Sequence, residues 1–277
     1  MSPAAASQED QTLSMPSDTT TRVGANTQFD YEGIPAGYYD RVMREGNPIR
    51  RLWHVSKFER VLDYLPQPSD PHAESSILDI GCFAGTFLSL VPQDRFSRQL
   101  GVDILPAQID YANRTYGTPF RSFRHVPSIT HLRDIEGHFD CVTLIEVIEH
   151  LTAAEIHALF SELARLIRPG GKLVLTTPNY LSCWPLLEVI LNRMSEVSYE
   201  EQHITRFTYF NMERRLCELY PSFAAEFALD LKTTTHLVTP FLAGLSYDLA
   251  RNLSRMVPHT NWRMPFGNLV LMVLTRR

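Results

Sequence analysis

The chain has 277 residues and a formal net charge of −5, and it is 44% hydrophobic and 21% charged. This is the balance of an ordinary soluble globular protein, with length for one large domain or one domain carrying an insertion. The mild acidity argues against a duplex nucleic-acid partner, which calls for a basic face.

In chain order, residues 1–28 (MSPAAASQED onward) are rich in Ser, Thr, Ala, Pro and Gln and are expected to be a disordered tail. They lack the charged start and apolar run of a secretory signal. The cysteines Cys82, Cys141, Cys183 and Cys217 form no CxxC pair. They read as reduced thiols of a cytoplasmic protein, neither a zinc site nor a disulfide framework. No apolar run approaches the roughly 20 residues that cross a bilayer.

Residues 29–277 read as one domain, with a helical cap over 29–75, a core over 76–178, substrate-side helices and a lid over 179–262, and a last strand over 263–277. Asn47 followed by Pro48 marks a helix start, and a helix is expected to Tyr64, with Leu52, Val55, Phe58, Val61, Leu62 and Leu65 on one face. ILDIG at 77–81 is a first strand and FLSLV a first core helix. QLGVDI at 99–104 is a second strand and AQIDYANRTY a helix, FRSFRHV a third strand, and FDCVTLIEV at 139–147 a fourth. Thr152 and Glu155 form a capping box for a helix buried through Ile156, Leu159, Phe160, Leu163, Leu166 and Ile167. PGG at 169–171 ends it, and KLVLTTP is a fifth strand. Strands alternating with helices at this spacing predict an α/β fold with a mostly parallel sheet covered on both faces.

Beyond Pro178, CWPLLEVILNRM at 183–194 reads as an amphipathic helix, SYEEQHITRFT as a polar loop, YFNMERRLCEL as a helix and FAAEFAL as a strand. FLAGLSYDLARNLSRM at 241–256 reads as one amphipathic helix, with Phe241, Leu242, Leu245, Leu249 and Leu253 along one face. Burial of that stripe is the favoured expectation, ahead of covering a substrate or touching a membrane surface. NLVLMVLTRR closes the chain as a strand.

Ligands of an open parallel sheet bind beyond the carboxyl ends of its strands. The first strand ends DIGCFAGTF, where Gly81 and Gly85 permit a tight turn, and the second ends in Asp103, an acid placed to accept both hydroxyls of a ribose. A nucleoside-containing cofactor follows. The spacing G-x-x-x-G is not the G-x-G-x-x-G of dinucleotide sites.

These residues resemble the class I S-adenosylmethionine-dependent methyltransferases, whose first motif runs like D-x-G-x-G-x-G and is matched by Asp79, Gly81 and Gly85. The resemblance continues through GVDI at 101–104, FDCVTLIEVIEHL at 139–151 and LIRPGGKLVLTTPN at 166–179, in the family's order and spacing. It implies a Rossmann-like seven-stranded sheet with an antiparallel last strand, and S-adenosylmethionine as cofactor with S-adenosylhomocysteine as product. Asp79, Gly81, Cys82, Phe83, Gly85, Asp103, Ile104 and Glu146 would line the cofactor, Asp103 on the ribose and Ile104 on adenine. His54 and Lys57 are candidates for the methionine carboxylate, against the reading that they lie on a solvated helix face. Phe83 stands where the family has glycine, so its side chain must turn away from the cofactor or narrow the pocket. No acid follows strand three to meet the adenine amine; Ser128 or Thr130 stands in that position.

Methyl transfer from a sulfonium needs mainly proximity and orientation, and an oxygen nucleophile also needs a base or a metal. The phrase LIEVIEHL places Glu146, Glu149 and His150 at i, i+3 and i+4, where one helical turn would aim them together, and EEQHITRFT adds His203. These four form a candidate divalent-metal site. Glu149, His150 and His203 are the candidate catalytic residues. The pattern resembles metal-linked enzymes that methylate quinone precursors or the terminal ribose of small RNAs. Metal binding, metal-free base chemistry by His150 or His203, and a purely structural cap stand side by side. Tyr180, Trp184, Leu187, Ile190 and Met194 would roof a pocket for a small-molecule or lipid-like acceptor. The expected activity is O-methylation of such an acceptor. The alternatives are methylation of an RNA end and a non-catalytic cofactor-binding scaffold, and a homodimer is compatible with all three.

Overall fold

The structure is a computed structural model that describes residues 33–67, 74–183, 185, 203–237, 239–256 and 265–277. The expected tail over 1–28, the helix at 186–194 and Glu200 and Glu201 lie outside the described residues, as do Trp184, Leu187, Ile190 and Met194.

Seven strands form one sheet: β1 (Ser76–Ile80), β2 (Arg98–Asp103), β3 (Arg121–His125), β4 (Phe139–Ile145), β5 (Ile167–Pro178), β6 (Phe227–Thr235) and β7 (Leu269–Arg276). Their order is β3-β2-β1-β4-β5-β7-β6. The first five are mutually parallel, and β7 runs antiparallel between β5 and β6. The strand order reverses between β1 and β4, so a crevice opens beyond their carboxyl ends.

Period-two alternation distributes the core between two faces. Leu78 and Ile80 of β1, Val142 and Leu144 of β4, Leu173 and Leu175 of β5 and Val270, Met272 and Leu274 of β7 face α5 (Ala153–Leu166). Ile77, Cys141, Val174, Leu271 and Val273 face the opposite layer, with Phe87 of α3 (Thr86–Ser89) and Ile109 and Ala112 of α4 (Pro106–Tyr116). Each side chain on these central strands meets a helix layer, hence the near-continuous apolar runs.

Ahead of the sheet lie α1 (Tyr38–Glu45) and α2 (Pro48–Tyr64). Asn47 caps α2 by accepting the Arg50 N–H at 3.0 Å, with Pro48 in the first turn. The expectation of a solvated polar face on α2 is overturned: His54, Ser56, Lys57 and Arg60 are buried beside Leu52, Trp53 and Val61. They are covered because both sides of α2 are packed, one by the sheet and the other by α8 (Thr239–Ala243) and α9 (Tyr247–Met256).

Three further expectations are corrected. The stretch FAAEFAL opens as a helical turn, α7 (Phe223–Glu226), after α6 (Met212–Leu219), and β6 begins only at Phe227. The single helix over 241–256 is instead α8 and α9, broken at Gly244–Ser246. Its stripe packs only at the start, where Phe241 and Leu242 lie partly buried against the core; Leu245 is 88% exposed and Leu249 56%. α9 instead turns Ala250 and Ser254 inward. Glu59 of α2 pairs with Arg251 and Arg255, and the Arg60 guanidinium donates to the Ser254 carbonyl, so polar bonds decide which face packs.

Candidate active site

At the end of β1 the chain turns on left-handed backbone at Gly81 (φ 76°), Phe83 (φ 46°) and Gly85 (φ 76°). A Cβ on Gly81 would lie 2.5 Å from a Val147 methyl, and one on Gly85 2.6 Å from the Phe123 ring. Both positions therefore need glycine for conformation and for packing. Phe83 adopts an angle that glycine takes more easily, and its ring lies 4.9 Å from that of Tyr39 on α1. The side chain thus leans on the N-terminal helices. The Tyr39 ring in turn lies 5.4 Å from His54.

Asp103 ties the turn to β2. Its carboxylate accepts the Phe83 N–H at 2.8 Å and the Leu105 N–H at 3.0 Å. Burial raises its pKa, against the pull of those backbone donors. Each oxygen retains a second lone pair for a hydroxyl. Ile104, 48% exposed, stands beside it as an open apolar surface. Asp79 lies beneath the turn, buried, and accepts the Thr143 hydroxyl at 2.6 Å. Burial pushes its pKa up to about 7. Cys82 is buried within the turn, and burial with the nearby carboxylates keeps its thiol protonated. Ser128 bonds to Thr130 at 2.8 Å and to the His131 ring at 2.9 Å.

β4 ends at Ile145, two residues earlier than expected, because Glu146 turns left-handed (φ 55°). Its N–H donates to the Thr176 carbonyl at 3.1 Å, and a 3-10 turn follows over Ile148–His150. This geometry corrects the predicted metal set. Glu146 is not aimed with Glu149 and His150; its carboxylate pairs with Lys57. Burial raises the Glu146 pKa, but the Lys57 charge and hydrogen bond outweigh it and hold the carboxyl below its ordinary range. His54 is driven well below its ordinary pKa by burial and by the Lys57 and Arg50 charges. It is neutral, so the cation facing Glu146 is Lys57.

Glu149, His150 and His203 do converge: one ligand atom from each lies within 4.8 Å of the others. The segment at 203–205 reaches this point through backbone bonds, with the Ile204 and Thr205 N–H groups donating to the Glu149 carbonyl at 2.8 and 3.0 Å. The His150 and His203 rings are 5.1 Å apart. Glu149 is fully buried, one oxygen accepts the Thr177 hydroxyl at 3.0 Å, and Oε1 has no hydrogen-bond partner. Burial pushes its pKa up to about 7, with the His203 charge opposing. A buried carboxylate oxygen left unsatisfied costs about 1–3 kcal/mol or more. Two imidazoles and a carboxylate are the donors that borderline divalent ions such as Zn²⁺ or Mn²⁺ accept. The residues present therefore fit a cation.

Several residues of the site carried no signal in their spacing. Thr177 and Tyr180 come from the end of β5, and Tyr180 meets the His203 Nδ1 atom at 2.6 Å. Thr143 sits mid-strand on β4. Asn179, fully buried, accepts the Leu181 and Tyr209 N–H groups and donates to the Pro265 and Gly267 carbonyls, joining β5, the approach to α6 and the start of β7. The only pointer was the polar run TTPNY at a strand end facing the crevice.

A family model described as a methyltransferase domain matches residues 50–224. A ubiquinone biosynthesis O-methyltransferase of Psychrobacter cryohalolentis is 29% identical over 147 residues, covering 50% of this chain and 55% of that protein. One from Xanthomonas oryzae pv. oryzae is 33% identical over 121 residues, covering 43% and 48%. The chain thus spans about half the length of the curated relatives it matches. Among solved structures, geranyl diphosphate C-methyltransferase from Streptomyces coelicolor, in complex with Mg²⁺, geranyl diphosphate and S-adenosylhomocysteine, aligns with a TM-score of 0.52 at 21% identity over 89% of this chain and 85% of that one. The chain belongs to the methyltransferase domain family, and its sheet is that of the class I S-adenosylmethionine-dependent enzymes.

Proposed function

We propose that this chain transfers the methyl group of S-adenosylmethionine to an oxygen of a small or lipid-like acceptor at the ends of β4 and β5. The observation that carries the reading is the buried Glu149 carboxylate with its unpartnered oxygen, converging with His150 and His203 beside the crevice. The turn from Gly81 to Gly85 and the Asp103 carboxylate support the donor's nucleoside end. Lys57 and Glu146 form a part-buried pair of opposite charges, complementary to the carboxylate and ammonium of the methionine end.

Glu149, His150 and His203 would hold the divalent ion. Such an ion supplies Lewis acidity that lowers the pKa of an acceptor hydroxyl. The protein's own part is orientation. Thr177 holds one Glu149 oxygen, and the backbone of Ile204 and Thr205 fixes the approach of His203. Acceptors with two adjacent oxygens, such as catechols, suit a site with open coordination positions. The names of the curated relatives favour oxygen as the methylated atom. Among the described residues no helix is long and apolar enough to cross a membrane. The free cysteines support a cytoplasmic setting.

The test is methyl-labelled S-adenosylmethionine with a panel of catechols of increasing tail length, with Mn²⁺, Zn²⁺ or Mg²⁺ and after exhaustive chelation. Label is expected on a catechol oxygen in the presence of one of the ions. In Glu149→Ala and His203→Ala, metal content should fall while S-adenosylhomocysteine still binds. Full activity after chelation removes the ion from the reading. Cofactor binding without transfer to any oxygen acceptor would leave a non-catalytic binding protein.

A further inference from the structure

We propose that Tyr180 is a positioning residue for His203, setting through its hydroxyl which ring nitrogen acts in the site. The inference deepens the proposed function and rests on the reading that His203 works with Glu149 and His150.

The main chain around His203 is already fixed. Ile204 and Thr205 donate to the Glu149 carbonyl, and the Thr205 hydroxyl donates to the Leu151 carbonyl at 2.7 Å. Tyr180 acts on the orientation of the imidazole itself. Its hydroxyl meets Nδ1 at 2.6 Å, and the two rings stand edge to face at 89°. The phenol cannot easily move away. The Tyr180 N–H donates to the Phe207 carbonyl at 3.0 Å, Tyr180 packs against the cluster of Trp53 and Leu269, and the Arg206 guanidinium lies 5.1 Å from the ring centroid.

An imidazole that donates its Nδ1–H to a fixed oxygen carries its lone pair on Nε2, on the other side of the ring. With the Tyr180 oxygen as the acceptor of that bond, Nε2 is the atom through which His203 ligates a cation or accepts a proton. The same division of labour operates at Glu149, where Thr177 occupies one oxygen and Oε1 is left without a partner. Two side chains from the end of β5 thus each orient one functional group of the cluster. Removing such an outer partner typically weakens metal affinity about 10–100-fold.

Tyr180→Phe removes only the hydroxyl and keeps the packed ring. The full chain labelled with ¹⁵N-histidine, with the His203 signals assigned through His203→Gln, reports the tautomer directly. Wild type should show His203 protonated at Nδ1, and Tyr180→Phe should show averaged signals of the two tautomers. Mn²⁺ titrated alone should bind Tyr180→Phe about 10-fold more weakly or worse, with S-adenosylhomocysteine affinity unchanged. Identical His203 signals in wild type and Tyr180→Phe overturn the proposal. So does equal Mn²⁺ affinity when wild type binds the ion. If wild type does not bind Mn²⁺, the metal reading fails, and the tautomer comparison decides the role of Tyr180.

Discussion

At the end of β1 the crevice is shaped by backbone. Gly81 and Gly85 take left-handed angles, and Asp103 receives the N–H groups of Phe83 and Leu105. At the end of β4, a few ångströms of sheet away, it is shaped by side chains from distant segments. Lys57 of α2 meets Glu146, Thr177 of β5 meets Glu149, and His203 comes from a segment more than fifty residues further along the chain than Glu149. A backbone-built turn tolerates almost any side chain that fits, so it serves a constant ligand, the methyl donor. A cluster built from side chains can be rearranged residue by residue, which suits an acceptor that differs between enzymes. The difference also predicts how each edge fails.

The largest effect is expected from Lys57→Ala. It leaves the half-buried Glu146 carboxylate without its cation; breaking a fully buried pair by removing one partner costs about 3–5 kcal/mol, and the 18% exposure of Glu146 places the loss at the lower end of that range, about 3 kcal/mol. Denaturant unfolding at neutral pH measures it. The pH dependence sharpens the test. The folded Glu146 pKa is depressed, so the pair's contribution is present above the unfolded carboxyl pKa and is lost as pH falls through the folded one. Wild type and Lys57→Ala should therefore converge in acid. A constant gap down to the acid transition contradicts the assignment.

Gly85→Ala tests the backbone edge. The new Cβ would sit 2.6 Å from the Phe123 ring and 2.9 Å from the Ala112 Cβ, at a φ of 76°. Overpacking and left-handed strain together predict a loss of about 2–4 kcal/mol and weakened S-adenosylhomocysteine binding. Metal binding at Glu149 should persist in the folded fraction, because the backbone bonds of Gly85 run to Cys82 and Ser89 and not to the Glu149 cluster.

A smaller effect is expected from Asp79→Asn, beneath the turn. Burial raises the folded Asp79 pKa to about 7, against an ordinary 3.8. The folded state then holds more protons than the unfolded state between those values. Stability contributed by this site falls as pH rises from about 4 to about 7, then levels off. Asp79→Asn should be free of that decline. A parallel pH profile in wild type and variant would show that Asp79 stays ionised.

The smallest effect belongs to neither edge. Thr152→Ala removes the capping box of α5, where the Thr152 hydroxyl accepts the Glu155 N–H and Glu155 reaches back to the Thr152 N–H. It should cost about 1 kcal/mol and leave donor and metal binding untouched.

The same contrast explains what could be read in the sequence. The glycine turn, Asp103 and the alternation of strands and helices are local patterns, and they appear in the structure within a residue or two, except that β5 starts at Ile167, five residues before the expected Lys172, and takes in the PGG stretch. The capping box and the Asn47–Pro48 start are equally local. The direction of Glu146 was not legible: spacing of three and four residues implies a shared helical face, but a left-handed residue ends β4 and sends its carboxylate toward Lys57. Burial on α2 depends on distant partners: Lys57 meets Glu146 at the end of β4, His54 lies beside Tyr39 of α1, and Ser56 and Arg60 meet Ser254 of α9, about 190 residues later. The α9 stripe was misread for a related reason. Apolar periodicity marks a face that is distinct, and the ion pairs of Glu59 and the Ser254 contact decide which face packs. Tyr180 reads in the sequence as an apolar wall of the acceptor pocket, and its hydroxyl gains a role only when His203 is placed beside it.

The central claim is that donor binding and acceptor chemistry are separable across the sheet edge. Calorimetric titration of S-adenosylhomocysteine into wild type and into a Glu149→Gln, His203→Gln double variant tests it most directly, paired with methyl transfer to the best catechol of the panel. Donor affinity should agree within about twofold while transfer falls by at least about 100-fold. Donor affinity that falls in step with transfer would contradict the account.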